Sequence, residues 1–582
     1  MKRMNYSSIT AAIRRIHEAK RRSDSTGIPV KELLDQDREL RRKLLQEREA
    51  KKQRRDFIKA AGGLGLAAGL LPFARPLRAS QHRIAIIGAG TGGLRTAHRL
   101  RQYGLASTVY EASDRVGGRM YSNSDFFTAD EITGQKRVIE FGGEFISTEH
   151  NAIRNLAHQL NLQLEDVNKL SVGDEETYLI EGQMYTEADL MDVWVGGQQG
   201  GLYDVMKRAQ QAAPWQPTYS SHNAQHVIYD HLDAIEWMEG PEVGLPRTDW
   251  VHKLLLADLV AEYGITVGNS ALNLIYLLAW NTHNSGGLPL AGTDERLHVV
   301  GGNDLIPQRM HEQLPPGTVE FDMKLEAVTG SYGGPFSLKF QGVPQQVECD
   351  ILVMAQPMNL IKEVDIDPRI YDNFAFEKRL GFESNTNVSD NGKVMMEFNP
   401  LDDGRLPWDL TRDVKFPESP QEVHQAARAY SFAGERANQY SGFISTWEGE
   451  PGNPSPLGVL VNYNGGAEAR KLRSKELHGP AAQADVDRVL LQAEQIWPGI
   501  SARYRPEVGG LVSNWIDDPL AKSAFTSPSV GTMTTWWGSQ WESDIAGRVF
   551  FAGEAYDAEY WSYMNGAVLS GERVATEIHQ NF

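Results

Sequence analysis

Cysteine is nearly missing: the chain has 582 residues and one Cys, Cys349. A disulfide framework and a cysteine-rich metal site are both excluded. His222, His226 and His231 are spaced suggestively, but no carboxylate pattern completes a site, so no metal is expected. The chain also lacks an internal repeat, a low-complexity tract and any apolar run long enough to span a bilayer. Residues 81–582 hold 38 Lys+Arg against 67 Asp+Glu, a net charge of −29. So acidic a body argues against nucleic acid and fits cationic substrates weakly. Hydrophobic content of 41% and charged content of 23% are those of a globular protein, and the length allows two or more domains.

Basic residues concentrate at the start, where residues 1–80 hold 20 Lys+Arg and 9 Asp+Glu. Lys51-Lys52-Gln53-Arg54-Arg55-Asp56-Phe57-Ile58-Lys59 precedes a Gly-rich apolar segment and then Leu77-Arg78-Ala79. This resembles a twin-arginine export signal with a cleavage site, which implies export machinery as a partner and a periplasmic or secreted protein. The region before it is unusually long for such a signal, and a cytoplasmic protein with a basic extension is the alternative. Glu32 to Glu49 reads as a charged amphipathic helix.

The most informative stretch runs from His82 to Met120. Ile84 to Ile87 is a short β-branched apolar run, expected to be a buried parallel strand. Gly88, Gly90 and Gly93 follow as GxGxxG: a tight turn, a close approach of backbone to pyrophosphate, and close packing of helix on strand. Leu94 to Tyr103 is the expected helix, and its free N–H groups and dipole face the phosphates. Ser107 to Tyr110 is a second strand, and Glu111 is placed to accept from a ribose diol. Strand, turn, helix, strand and acid together predict dinucleotide binding.

Gly117-Gly118-Arg119 comes directly after that unit. In combination the two resemble the flavin amine oxidase family, which includes monoamine, polyamine and L-amino acid oxidases. The resemblance extends from about residue 82 to the end, strongest at the two ends of that span. It implies FAD as cofactor, with Gly118 and Arg119 lying along it. It also implies a flavin-facing loop in Val138 to Ile146 with Gly143 and Glu144, a second such loop in Arg296 to Asp304, and a return strand in Cys349 to Pro357. Cys349 is expected inside that strand as a buried inert thiol.

By the same resemblance Lys393, at the head of an apolar strand, holds a water against flavin N5, and Gly553 and Glu554 end a last strand with the acid on a ribityl or ribose hydroxyl. Gly566 to Ile578 is the closing helix. Ala524 and Phe525 stand where monoamine oxidases have a flavin-bonded Cys and a Tyr, so FAD is expected to be non-covalent. Tyr563, or Trp561 after a one-residue slip, pairs with Phe525 as an aromatic cage; the family pattern W-S-G-Y-M is here W-S-Y-M. Glu144 either holds a cationic group of the substrate or is salt-bridged away from it. No counterpart of the substrate-carboxylate Arg of L-amino acid oxidases is found.

The expected fold is α/β: a discontinuous Rossmann-type FAD domain (81–165, 290–356, 505–582) with a mixed α+β substrate domain (166–289, 357–504), after a basic extension at 1–80. The hairpin expected at Tyr178 to Thr186 turns at Glu181-Gly182. The implied reaction is oxidation of a small amine or L-amino acid: hydride passes to flavin N5, the imine hydrolyses, and O2 is reduced to H2O2. A dehydrogenase passing electrons to a quinone or protein acceptor shares every FAD residue. The oligomeric state is open, a homodimer included.

Overall fold

The computed structural model of the chain describes residues 16, 19–20 and 22–36. From 82 onward it describes all but 130–133, 168–174, 197–200, 266–267, 279–294, 385–387, 410, 416–419, 433–441, 451–454, 473, 475 and 546. The twin-arginine-like stretch 51–79 and the charged segment beyond Gln36 lie outside the described residues. Ile16, Ala19, Leu33 and Leu34 are buried and share one apolar cluster with Trp194 and Met206, so part of the 1–80 extension belongs to the folded body.

One layer is a parallel sheet of five strands, ordered Val549–Phe551, Ile351–Met354, Ile84–Ile87, Thr108–Tyr110 and Val319–Glu320. Ile86 lies beside Val353 on one side and Val109 on the other, and Val353 lies beside Phe550. All four strand positions are fully buried, as expected where helices cover both faces of a parallel sheet. The helix after the first strand spans Thr91–Tyr103 and stops at Gly104, whose φ is 83°. It begins three residues earlier than its sequence predicts, because Gly92 and Gly93 lie inside it. The C-terminal helix, Met564–Asn581, packs on it so closely that a side chain at Gly571 would meet the Gly92 carbonyl at 2.6 Å.

The second large sheet has eight strands. Its path is Gly510–Asn514, Asn391–Phe398, Gly458–Gly465, Ser445–Glu448, Pro420–Phe432, Glu175–Ile180 and Gln183–Thr186, with Thr411–Lys415 pairing Pro420–Phe432. Glu175–Ile180 and Gln183–Thr186 form the expected hairpin, with Glu181 and Gly182 both at positive φ in the turn. Gly510–Asn514 pairs with Asn391–Phe398; the segment 505–514, expected in the FAD domain, therefore contributes to this sheet instead. Helices between 187 and 277 cover one side, the longest being Trp250–Tyr263, capped by the Asp249 carboxylate and ended by Gly264.

Cys349 does not lie inside the parallel strand. It ends the strand Val347–Cys349 of a separate four-stranded sheet, and the parallel strand starts at Ile351. Burial pushes its thiol up to about 12, which keeps it an inert hydrophobe. His222 and His231 bond carbonyls of their own neighbourhood, Thr218 and Val227, and His226 caps its helix at Asn223. No group of three metal-ligating side chains occurs among the described residues.

Candidate active site

A cavity of about 980 Å³ runs from the carboxyl edge of the parallel sheet to the face of the eight-stranded sheet, at the upper end of the ~300–1,000 Å³ range of small-molecule sites. Its first end is the glycine turn. Gly88 has φ 104° and sits against the Ala355 carbonyl, where a side chain would come within 3.0 Å. A side chain at Gly93 would strike the Gly88 carbonyl at 2.0 Å, whereas one at Gly90 would meet nothing within 4 Å. The turn thus packs tightly on both sides and is open at Gly90, where the helix N-terminus faces the cavity. An open backbone cradle at a helix start is the arrangement that accepts a pyrophosphate.

Glu111 ends the second strand beside this turn. One carboxylate oxygen accepts from the Ala89 N–H at 2.6 Å, the other from the Ser113 N–H at 2.9 Å and hydroxyl at 2.8 Å. Glu111, Gly118 and Arg119 line the cavity with Gly88 and Gly90. Arg119 donates to the Ala524 carbonyl and to Glu554, both at 2.9 Å. Glu554 is more engaged than the resemblance implies. Besides Arg119 it accepts from the Thr526 hydroxyl at 2.9 Å, the Thr526 N–H at 3.3 Å and the Ser562 N–H at 3.1 Å. It joins three segments of protein. Gly553, at φ 142°, approaches the other helix start, where a side chain on Gly92 would meet the Gly553 nitrogen at 2.6 Å.

The middle of the cavity is bordered by the turn after Ile139–Glu140. Five consecutive carbonyls there are held by side chains. Lys393 donates to those of Glu140 and Gly142, each at 3.0 Å. The Ser513 hydroxyl (2.6 Å) and Trp515 indole (2.9 Å) donate to that of Phe141. Asn303 donates to those of Gly143 (3.0 Å) and Glu144 (2.7 Å). Met564 packs against Gly143, its side chain 2.8 Å from where a Cβ would be. Below the turn, the Glu140 carboxylate accepts from the Asn303 N–H at 2.8 Å, the Ser122 hydroxyl at 2.8 Å and His298 at 2.9 Å. Burial would lower the His298 pKa, but its bonds to Glu140 and Glu165 outweigh that and raise it to about 10. His298 is therefore an imidazolium under this turn.

Lys393 and Glu144 meet at 2.8 Å, with side chains only 7% and 9% exposed. The other Glu144 oxygen accepts from the Trp447 indole at 2.7 Å. Each oxygen of Glu144 thus has a partner within the protein, which is the salt-bridged one of its two expected arrangements. The register of the large sheet explains the meeting. Ser513, Lys393, Tyr463 and Ser445 are successive cross-strand partners and all line the cavity; Trp447, two residues past Ser445, is on the same face.

At the far end the walls are aromatic: Phe145, Tyr263, Trp447, Tyr463, Phe525, Trp561 and Tyr563. Phe525 is pinned beside the Lys393 strand by paired backbone and hydroxyl bonds with Ser389. Trp561 is buried edge-on to Trp537, centroids 5.1 Å apart, whereas Tyr563 leans on His150 at 5.0 Å. Both residues reach the cavity, so neither displaces the other. Burial, then Arg154, pushes His150 down to about 3, leaving it a neutral support. Ser562 between them has φ 68°, so it takes a left-handed backbone conformation next to the point where the family pattern has a glycine that this chain lacks. The sequence reading missed Glu140, His298, Asn303, Trp447, Tyr263 and Tyr463. Glu140, His298 and Asn303 lay in segments already singled out, Val138 to Ile146 and Arg296 to Asp304; the three aromatics did not.

The cradle at Gly90, the helix start and the Glu111 position fit the dinucleotide half of FAD, and the braced turn at 140–144 borders the space left for its ring. No cysteine lines the cavity. A sequence profile described as "Flavin containing amine oxidoreductase" matches residues 91–579. Amine oxidase [flavin-containing] A of Sus scrofa is 22% identical over 528 residues, covering 85% of this chain and 84% of that protein. Lysine-specific histone demethylase 1 homolog 1 of Arabidopsis thaliana is 24% identical over 514 residues, and there the match spans about half of the relative, 52%, and 85% of this chain. Among solved structures, putrescine oxidase bound to putrescine has a TM-score of 0.62 at 19% identity, covering 86% of this chain and 99% of the other. Cyclohexylamine oxidase from Brevibacterium oxydans IH-35A has a TM-score of 0.64 at 16% identity with the same coverage. The chain belongs to the flavin-containing amine oxidoreductase family, and FAD is its cofactor.

Proposed function

We propose that this protein oxidises the C–N bond of a small amine that carries no carboxylate. The observation behind this reading is the charge inventory of the aromatic end. The cations nearest to it, Lys393 and Arg119, are committed to Glu144 and Glu554, so a substrate carboxylate finds no partner there among the described residues. Carboxylates are present: Glu262 and Glu295 line the cavity. Burial, then Glu262, Glu295 and Glu144, raise the Tyr463 phenol well above its ordinary value. A negative field of this kind draws in a protonated amine. The names of the similar putrescine and cyclohexylamine oxidases point to the same class.

Bound FAD supplies the two-electron acceptor. The chain's own part is to orient and to exclude water: aromatic walls align the amine, and the braced turn fixes the border it is pressed against. Release of H2O2 and passage of electrons to a quinone or protein are the two outlets for those electrons. The commitment of Lys393 to Glu144 favours the second, since an already neutralised cation assists oxygen chemistry less. Oxygen uptake and peroxide, measured with diamines, aryl-alkyl amines, cycloalkyl amines and L-amino acids, test the reading. Turnover of amines with an artificial electron acceptor supports it whichever outlet operates. Turnover confined to amino acids contradicts it.

Arg54-Arg55 with the apolar segment after them supports export by the twin-arginine route. Periplasmic accumulation that is lost in an Arg54→Lys/Arg55→Lys variant is the expected result, and cytoplasmic accumulation of both forms contradicts it.

A further inference from the structure

An ammonium has three N–H bonds, and Lys393 has spent all of them: on the carbonyls of Glu140 and Gly142 and on the carboxylate of Glu144. None is left to hold a water. The pair is nearly buried, so its field is only weakly screened, and in that setting a carboxylate at 2.8 Å cancels most of the field of the cation at any distance beyond the pair itself. Glu144 is in turn fixed by Trp447 and by the Asn303 bond to its own carbonyl, so the pair is braced from both ends. All three of Glu144, Lys393 and Trp447 line the same cavity as the FAD cradle.

We propose that Glu144 is a positioning residue that restrains oxygen chemistry: it holds the Lys393 cation in an ion pair of no net charge, and its removal hands the flavin side of the cavity a net positive charge and a free N–H. This rests on the reading that the cavity holds FAD beside the 140–144 turn and serves a redox reaction. When O2 takes two electrons and two protons from the reduced cofactor, oxidised FAD and H2O2 are left. Negative charge gathers on oxygen before the protons arrive, and a nearby uncancelled cation stabilises it. Glu144 withholds that help in the native chain.

The test needs no amine. The holoenzyme is reduced photochemically without substrate and mixed with O2 in a stopped-flow instrument; in parallel the oxidised form is titrated with sulfite, an anion that adds at flavin N5 and is favoured by positive charge. Glu144→Gln is expected to reoxidise about tenfold faster and to bind sulfite about tenfold more tightly, an electrostatic gain of the size a partly buried charge gives over several ångströms. In a Lys393→Met background the gain from the same substitution is expected to shrink to the part owed to the carboxylate's own charge, because no lysine N–H is then released. Equal rates and equal sulfite affinities for wild type and Glu144→Gln overturn the proposal, as does an undiminished Glu144→Gln effect without Lys393. If Glu144→Gln fails to retain FAD, Trp447→Phe serves in its place. Losing the indole donor concentrates the carboxylate's charge on Lys393, so reoxidation slows several-fold, and an unchanged rate overturns the proposal. Since no step uses an amine, failure here is distinct from failure of the proposed substrate class.

Discussion

The backbone N–H of Ser562 donates to the Glu554 carboxylate at 3.1 Å, and this bond ties the segment carrying Trp561 and Tyr563 to the cofactor side of the cavity. The same carboxylate holds Arg119 and Thr526, so substrate wall and cofactor cradle share one anchor. Glu554→Ala is expected to cost about 3 kcal/mol of stability, the toll of stranding a partly buried partner, and to lower FAD content. Thermal unfolding of apo and holo protein measures it. An apo form as stable as wild type would mean that Glu554 anchors nothing.

Ser562 pays for its φ of 68° with strain of about 1 kcal/mol. Its hydroxyl also donates to the Thr526 carbonyl. Ser562→Ala keeps the strain and loses the bond, so it should destabilise by about 1–2 kcal/mol. Ser562→Gly loses the bond but relieves the strain, and should be close to neutral. Chemical denaturation distinguishes the two; equal losses would show that the backbone there is relaxed.

Two glycines of the turn are predicted to fail differently. A methyl at Gly93 would lie 2.0 Å from the Gly88 carbonyl, whereas one at Gly90 meets no protein atom within 4 Å. Gly93→Ala should destabilise the apo chain outright. Gly90→Ala should leave apo unfolding unchanged and weaken FAD binding at least tenfold, because its methyl enters the space meant for phosphate. Apo melting curves with FAD titrations decide it, and indistinguishable variants would contradict the turn's assigned geometry.

His298 gives a pH prediction. Its folded pKa, about 10, lies above the ordinary value near 6.5. The folded state therefore holds the proton more tightly, and the resulting stability is complete below about pH 6.5 and is lost as pH rises toward 10. His298→Gln should be destabilised by about 3 kcal/mol at pH 6, with the gap to wild type narrowing steadily up to pH 10. Paired melting curves across that range measure it, and a constant gap would mean that the imidazole is neutral.

The local parts of this site were legible in the sequence. Ile84–Ile87 forms the predicted strand residue for residue, because a short β-branched run before a glycine turn has few other options. The following helix starts at Thr91, earlier than propensity suggests: glycine disfavours helix, but only glycine allows this helix to touch Gly553 and the Gly88 carbonyl. The non-local parts were hidden. Glu144 was recognisable as an unusual acid, yet its partners lie 249 and 303 residues away, and they meet it only through the register of the eight-stranded sheet. Tyr263 sits at the end of a helix buried on almost every side, so no amphipathic pattern marked the face that reaches the cavity. Gly510–Asn514 is as apolar as a strand of the cofactor sheet and gives no local sign of which sheet it joins.

The central claim, that the cavity oxidises amines without a carboxylate, is tested most directly by anaerobic titration of the holoenzyme while flavin absorbance is followed. The account predicts that a diamine or a hydrophobic monoamine bleaches the flavin completely, and that the matching α-amino acid, carrying one added carboxylate, bleaches it at least a hundredfold more slowly. Faster bleaching by the amino acid would contradict it.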